Sequence, residues 1–167
     1  LLGELEWLLG KRIESIHRLE LSTPHCGAGP LETTVVLRSL GREAAAIAVR
    51  GTSVRASRLE TPQDIERAIA HTAMDPPEED EAILFSEAIV RPGWILESIT
   101  VWMDSRCEED EILGLALAPV SGSAVHALTS YHELELVAQD VLEAELATLA
   151  KNGARILATR VSLYRQP

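Results

Sequence analysis

The sequence predicts an α+β fold: two duplicated antiparallel β-meanders, each flanked by short helices, sharing one core. Three observations predict it. Gly10-Lys11-Arg12-Ile13-Glu14-Ser15-Ile16 returns as Gly93-Trp94-Ile95-Leu96-Glu97-Ser98-Ile99, a shift of 83 in a chain of 167 residues. With Leu1 set against Leu84 and Glu4 against Glu87, the match holds six identities over sixteen positions, where a random register gives about one. Next, short runs of alternating apolar and polar residues follow one another through brief turns, which favours antiparallel neighbours. Finally, Gln63-Asp64-Ile65 and Gln139-Asp140-Val141 open two helical stretches alike, at a shift of 76. On this reading the chain is a single domain: a first pseudo-repeat at 1–74, an acidic Pro-containing linker at 75–81, and a second pseudo-repeat at 82–167.

In chain order, Leu1, Leu5, Leu8 and Leu9 share one helical face with Glu4 and Glu6 turned away, so a short amphipathic helix opens the chain and closes near Gly10. Ile13 to Ser22 alternates, with Ile13, Ser15, His17, Leu19 and Leu21 on one side and Ile16 as the exception. Thr23 to Pro30 is rich in breakers and reads as a loop. Strands follow over Thr33–Arg38, Ala45–Val49 and Ser53–Leu59. Thr61-Pro62-Gln63-Asp64 starts a helix, with Thr61 as cap, Pro62 in the first turn and Asp64 at the positive helix end. Asp75 to Glu81 breaks the chain with two prolines and five acids. Ala82 to Val90 reads as helix or strand, and its alignment with residues 1–7 favours helix.

The second half repeats the order. Trp94–Met103 is a strand, Asp104–Glu111 an acidic loop, and Ile112–Ala118 a strand with Leu113, Leu115 and Leu117 on one face. Pro119–Ser123 turns the chain, and Ala124–Ser130 and Tyr131–Val137 continue the meander. A helix over Gln139–Lys151 buries Val141, Leu142, Leu146 and Leu149 and stops at Asn152-Gly153. Ala154–Tyr164 is a last strand, without counterpart in the first half before the linker.

Composition narrows the function. A net charge of -11 repels phosphate backbones and anionic membranes, so neither nucleic acid nor a membrane surface is an expected partner. It suits instead solubility first of all, and also a basic protein partner. No apolar run approaches the roughly 18 residues of a membrane span. Leu1 to Glu6 carries acids and no basic start, so it does not read as a signal peptide, and the missing initiator Met is compatible with a natural N-terminus upstream. Two cysteines, Cys26 and Cys107, make no disulfide framework and are expected as free thiols in the cytoplasm.

No catalytic, cofactor-binding or metal-binding residue is assigned. His126 and His132 are six apart and would share a strand face, but no third ligand has zinc-like spacing. His25-Cys26 lies between breakers, and sequence neighbours rarely orient as a nucleophile and its base. Asp104–Glu111 lacks the glycine and alternating acids of a calcium loop. Glu108, Glu109 and Asp110, in the denser part of that loop, are the candidate partner-binding residues.

The order Leu8 to Ile16, then Thr34-Val35-Val36-Leu37, a turn, and Ala46-Ile47-Ala48-Val49 resembles small bacterial β-rich proteins. So does Ile112–Leu117, a turn, Ala124–Leu128 and His132–Leu136. Most such proteins lack an assigned activity; some are immunity proteins that block a toxin. Acidity, compactness and the absence of catalytic motifs point to a non-catalytic cytoplasmic protein-interaction module, and the resemblance implies an immunity-type inhibitor of a basic partner such as a toxin. The alternatives are a small-ligand-binding domain with a pocket between the repeats and an enzyme of unrecognised type.

Overall fold

A computed structural model describes residues 1–23, 27–40, 43–50, 53–61, 63–64, 82–88, 94–106, 111–130 and 133–163; for 19–23, 27–33, 50, 53, 82–88 and 130 it describes the backbone alone. Helix α1 (Leu2–Leu5) and a 3-10 turn (Glu6–Leu8) lead into β1 (Ile13–Thr23), β2 (Gly27–Ser39), β3 (Ala44–Arg50), β4 (Ser53–Leu59) and β5 (Ala82–Ala88). Then come β6 (Leu96–Asp104), β7 (Glu111–Pro119), β8 (Val125–Ser130), β9 (Glu133–Val137), helix α2 (Gln139–Lys151) and β10 (Ile156–Ser162). The fold is α+β and rich in strands, which form two five-stranded sheets. One has the order β4-β3-β2-β1-β5, the other β10-β6-β7-β8-β9. Every strand pairing in both is antiparallel. No helix among the described residues is long and apolar enough to cross a membrane.

The sheets correspond strand for strand. In each, four strands run as a meander and the fifth returns to pair with the first. The register of β1 on β2 slips between Ile13 and Ser15, and that of β6 on β7 slips between Leu96 and Ser98, which makes Glu14 and Glu97 the extra residues of two bulges 83 apart. Arg12 and Ile95, also 83 apart, face each other in an antiparallel bridge between the sheets. Around that bridge the Ile13 N–H donates to the Trp94 carbonyl at 2.8 Å, and the Leu96 N–H to the Lys11 carbonyl at 3.1 Å. An approximate two-fold relation passes through this point.

The bulge explains where strict alternation misleads. Ile13 and Ile16 are both fully buried, because Glu14 occupies an additional position and restores the inward direction at Ile16. Ser15 and His17 are therefore turned away from the core, against the expectation. Leu96 and Ile99 repeat the pattern around Glu97. In β7 the slip opposite Trp102 and Met103 leaves Leu113 as the extra residue, so Ile112 packs against the shared core beside Leu115 and Leu117.

Three expectations need correction. Residues 82–88 are a strand, not a helix: β5 pairs with β1 from Ser22 opposite Ala82 to Ile16 opposite Ala88. The physical cause is the edge of β1, which β5 covers with a ladder of backbone hydrogen bonds; local likeness to residues 1–7 does not supply such a partner. It follows that β10 does have a counterpart, namely β5, because it pairs with β6 in the same way. Gly27 to Pro30 is strand rather than loop. Of the helix expected from Thr61, Gln63 and Asp64 are helical, and the rest lies outside the described residues.

One apolar core lies between the sheets. From the first come Ile16, Val35, Leu37, Ala45, Ile47 and Val54; from the second, Leu96, Ile99, Val101, Leu115, Leu117 and Leu134. Leu5 and Leu8, both fully buried, close one end of it. Helix α2 covers the opposite face of the second sheet. Its Leu142 is buried against Gly114 of β7, where a Cβ would come within 2.7 Å of Leu142 Cδ1. Burial of such a leucine stabilises by about 1.5–3 kcal/mol. Leu146 and Leu149 are half-buried on the same stripe, but Val141 is exposed, being about 100° around the helix from Leu142. The helix ends as expected: Gly153 adopts a φ of 93°, the Gly153 N–H donates to Ala150, and the Ala154 N–H to Leu149.

Candidate interaction surface

Glu108, Glu109 and Asp110 lie outside the described residues, as do Cys26, Cys107, His25, His71, His132 and the acidic run 75–81. In chain order the two acidic runs adjoin strands of different sheets. Residues 75–81 lead towards β5, and 107–110 connect β6 to β7.

The base of the β6–β7 connection is described, and it differs from a solvated loop. Asp104 ends β6 and is buried, with 3% of its surface exposed. Its Oδ1 accepts from the backbone N–H of Arg106 at 3.1 Å and that of Arg155 at 3.0 Å. Arg106 returns along the same carboxylate, Nε to Oδ2 at 3.0 Å and Nη2 to Oδ2 at 2.5 Å. The fork-shaped contact suits a guanidinium better than a point charge. Arg106 holds the Asp104 carboxyl well below the usual carboxylate range; burial opposes this, and the two backbone N–H groups assist it. Ser105 adds a backbone bond of 3.0 Å to the Arg155 carbonyl. The loop therefore springs from a fixed base tied to the start of β10.

A second constellation surrounds Trp7. Lys11 Nζ and the Arg58 guanidinium each sit 4.8 Å from the centre of its ring. The Glu43 carboxylate bonds both cations, and Lys11 first, then Arg58, pull its pKa below the ordinary value. This cation–π cluster clamps the amino-terminal turn to the β3–β4 hairpin. Nothing in the spacing of Trp7, Lys11, Glu43 and Arg58 marks them as partners; only the strand register brings them together.

On the outward side of β1, Ser15 Oγ and His17 Nε2 are 2.5 Å apart. A hydroxyl so placed becomes a nucleophile only where substrate and oxyanion donors face it; this pair stands on the outward side of β1, between two irregularities of its register. His126 lies on β8, on the side that α2 covers. Burial lowers its pKa, and Glu143 of α2 partly offsets this. Among the described residues, His, Cys, Asp and Glu form no group of three able to hold a metal ion.

Compared with known proteins, the chain matches no family model, no curated protein and no solved structure.

Proposed function

We propose that this chain is a non-catalytic protein-interaction module of the immunity type, which uses its acidic β6–β7 loop to dock a basic partner. The observation that carries the reading is the anchored base of that loop. Asp104 engages Arg106, the cation nearest in sequence to Glu108, Glu109 and Asp110, and ties it to Arg155 at the start of β10. A loop held at its base loses less freedom on binding, which favours affinity. The net charge of -11 favours a basic partner and rapid, steered encounter. The apolar core shared by the two sheets supports recognition at the surface over a ligand held between the halves. Cytoplasmic location belongs to the same reading.

Duplication of one ββββαβ unit is the proposed origin of the fold. The matching sheet orders, the bulges at Glu14 and Glu97 and the Arg12–Ile95 bridge support it. The division between the units then falls between Ala88 and Leu96 rather than at residues 75–81.

The test is the association rate with a purified cationic partner, measured by stopped flow across a salt series. The triple variant Glu108→Gln, Glu109→Gln, Asp110→Asn should associate about tenfold more slowly at low salt and show a shallower salt dependence. An unchanged rate removes the loop from the interface.

A further inference from the structure

Among the described residues six large apolar side chains are exposed, and four of them, Leu40, Ile95, Val120 and Leu163, gather where the two sheets meet. The Leu40 N–H donates to the Arg12 carbonyl at 2.9 Å, Arg12 bridges to Ile95, and the Val120 N–H donates to the Ile95 carbonyl at 2.9 Å. These contacts extend the β1–β2 and β6–β7 registers by one residue each and set Leu40, Arg12, Ile95 and Val120 in a single transverse row. Opposed residues of an antiparallel ladder point to one face. Their chain neighbours Ser39, Ile13, Trp94, Leu96 and Pro119 are buried, so the row itself faces solvent, with Leu40 at 58%, Val120 at 51% and Ile95 at 40% exposure. At strand spacing it spans about 14 Å. Leu163, whose N–H donates to the Glu97 carbonyl at 2.8 Å, flanks it.

Both signs of charge accompany this apolar row. Arg12 and Arg38 are exposed on the first half, as is Glu14; Glu97 stands half-buried at the corresponding place in the second. Among the described residues these two cations and two anions balance, on a molecule that carries -11 in all.

We propose that this row is the contact face of a two-fold dimer of the chain. Two copies repel over most of their acidic surface, and here they meet on neutral, apolar ground. An isologous contact needs a patch that complements itself. This one offers Arg12 to Glu14 or Glu97 of the second copy, and the internal two-fold relation puts Leu40 and Val120 in matching places at its two ends. Four large side chains with their polar rim fall short of the roughly 800 Å² per partner of a tight complex, so the dimer is a weak one, populated at tens of micromolar or so.

Sedimentation velocity over a concentration series tests this without any other component. The chain should pass from monomer to dimer. Val120→Asp and Leu40→Asp, both at exposed positions, should each leave it monomeric with an unchanged circular dichroism spectrum; Val120→Ser serves as the milder check on folding. Arg12→Glu should weaken the dimer at least about tenfold, and adding Glu14→Arg should restore it, which a purely apolar contact would not do. A monomer at every concentration overturns the proposal, as does a dimer indifferent to Val120→Asp or to Arg12→Glu. A basic protein seated on the row of a strictly monomeric chain would assign the face to a different occupant and overturn it as well.

Discussion

Arg18, on the first sheet, donates from Nη2 to the carbonyl of Leu136, 2.7 Å away on the edge strand of the second. The opposite arrangement holds at β4, the corresponding edge of the first sheet, where the Ala56 N–H donates to Glu4 Oε2 at 3.1 Å. In sheet register Ala56 stands opposite Ile47, as Leu136 stands opposite Ala127. The same place on each edge strand is thus sealed by a charged side chain, an anion on an N–H and a cation on a C=O. Bare edges invite pairing with other chains.

Removal of the cation should therefore weaken the fold and bare the β9 edge. Arg18→Ala is expected to cost about 1.5–3 kcal/mol, the range for a hydrogen bond involving a charged group, read as a lower urea midpoint. Arg18→Lys should recover part of it. If Arg18→Ala matches the parent in midpoint and in light scattering, the seal contributes nothing.

Gly114 is a place where a single methyl group has a defined obstacle. A Cβ there would meet Leu142 Cδ1 at 2.7 Å and the Ala127 carbonyl oxygen at 3.0 Å. Gly114→Ala should cost about 1–3 kcal/mol through overpacking, and Leu142→Ala about 2–5 kcal/mol through the cavity it leaves. The double variant should cost clearly less than the two costs added, because removing Leu142 clears the space the new methyl needs. Additive costs would mean that α2 does not rest on Gly114.

Stability should fall in two steps as pH falls. His126 is held neutral by burial, so below about pH 6.5 the unfolded chain takes its proton before the folded one does. Its contribution is present above that pH and is lost as the pH drops through the lowered value. Asp104 is held ionised by Arg106, so its contribution persists to about pH 4 and is lost below, as the unfolded carboxyl takes up a proton first. Urea midpoints measured from pH 8 to pH 3 should show His126→Gln flattening the upper step alone and Asp104→Asn the lower alone. A His126→Gln profile parallel to the parent would exclude His126 from the first step.

Much of the architecture was legible because backbone periodicity is local. The short turns, the β-branched run at Val35-Val36 and the Asn152-Gly153 stop all act within a few residues. The 83-residue echo also located the starts of β1 and β6. What failed depended on distant partners. A bulge cannot be read from alternation, so Ile16 looked exceptional when it was core. β5 takes its conformation from the edge of β1, far away in sequence, so a helix was expected there. Asp104 looked like one acid among several in a polar loop; its burial depends on Arg155, brought in by β10. The Trp7 cluster likewise needs four separate segments to converge.

The two sheets do not interleave along the chain: β5 ends at Ala88, and β6 begins at Leu96. During synthesis, then, every strand of the first sheet has been made before the second sheet's first strand exists. The inner side of that sheet, with Val35, Leu37, Ala45 and Ile47, waits uncovered until β7 and β9 emerge. This interval is the nascent chain's time of greatest exposure to misassembly. A pause in translation just after β5 would lengthen it, and an otherwise silent slowing of the message there would lower the yield of folded protein.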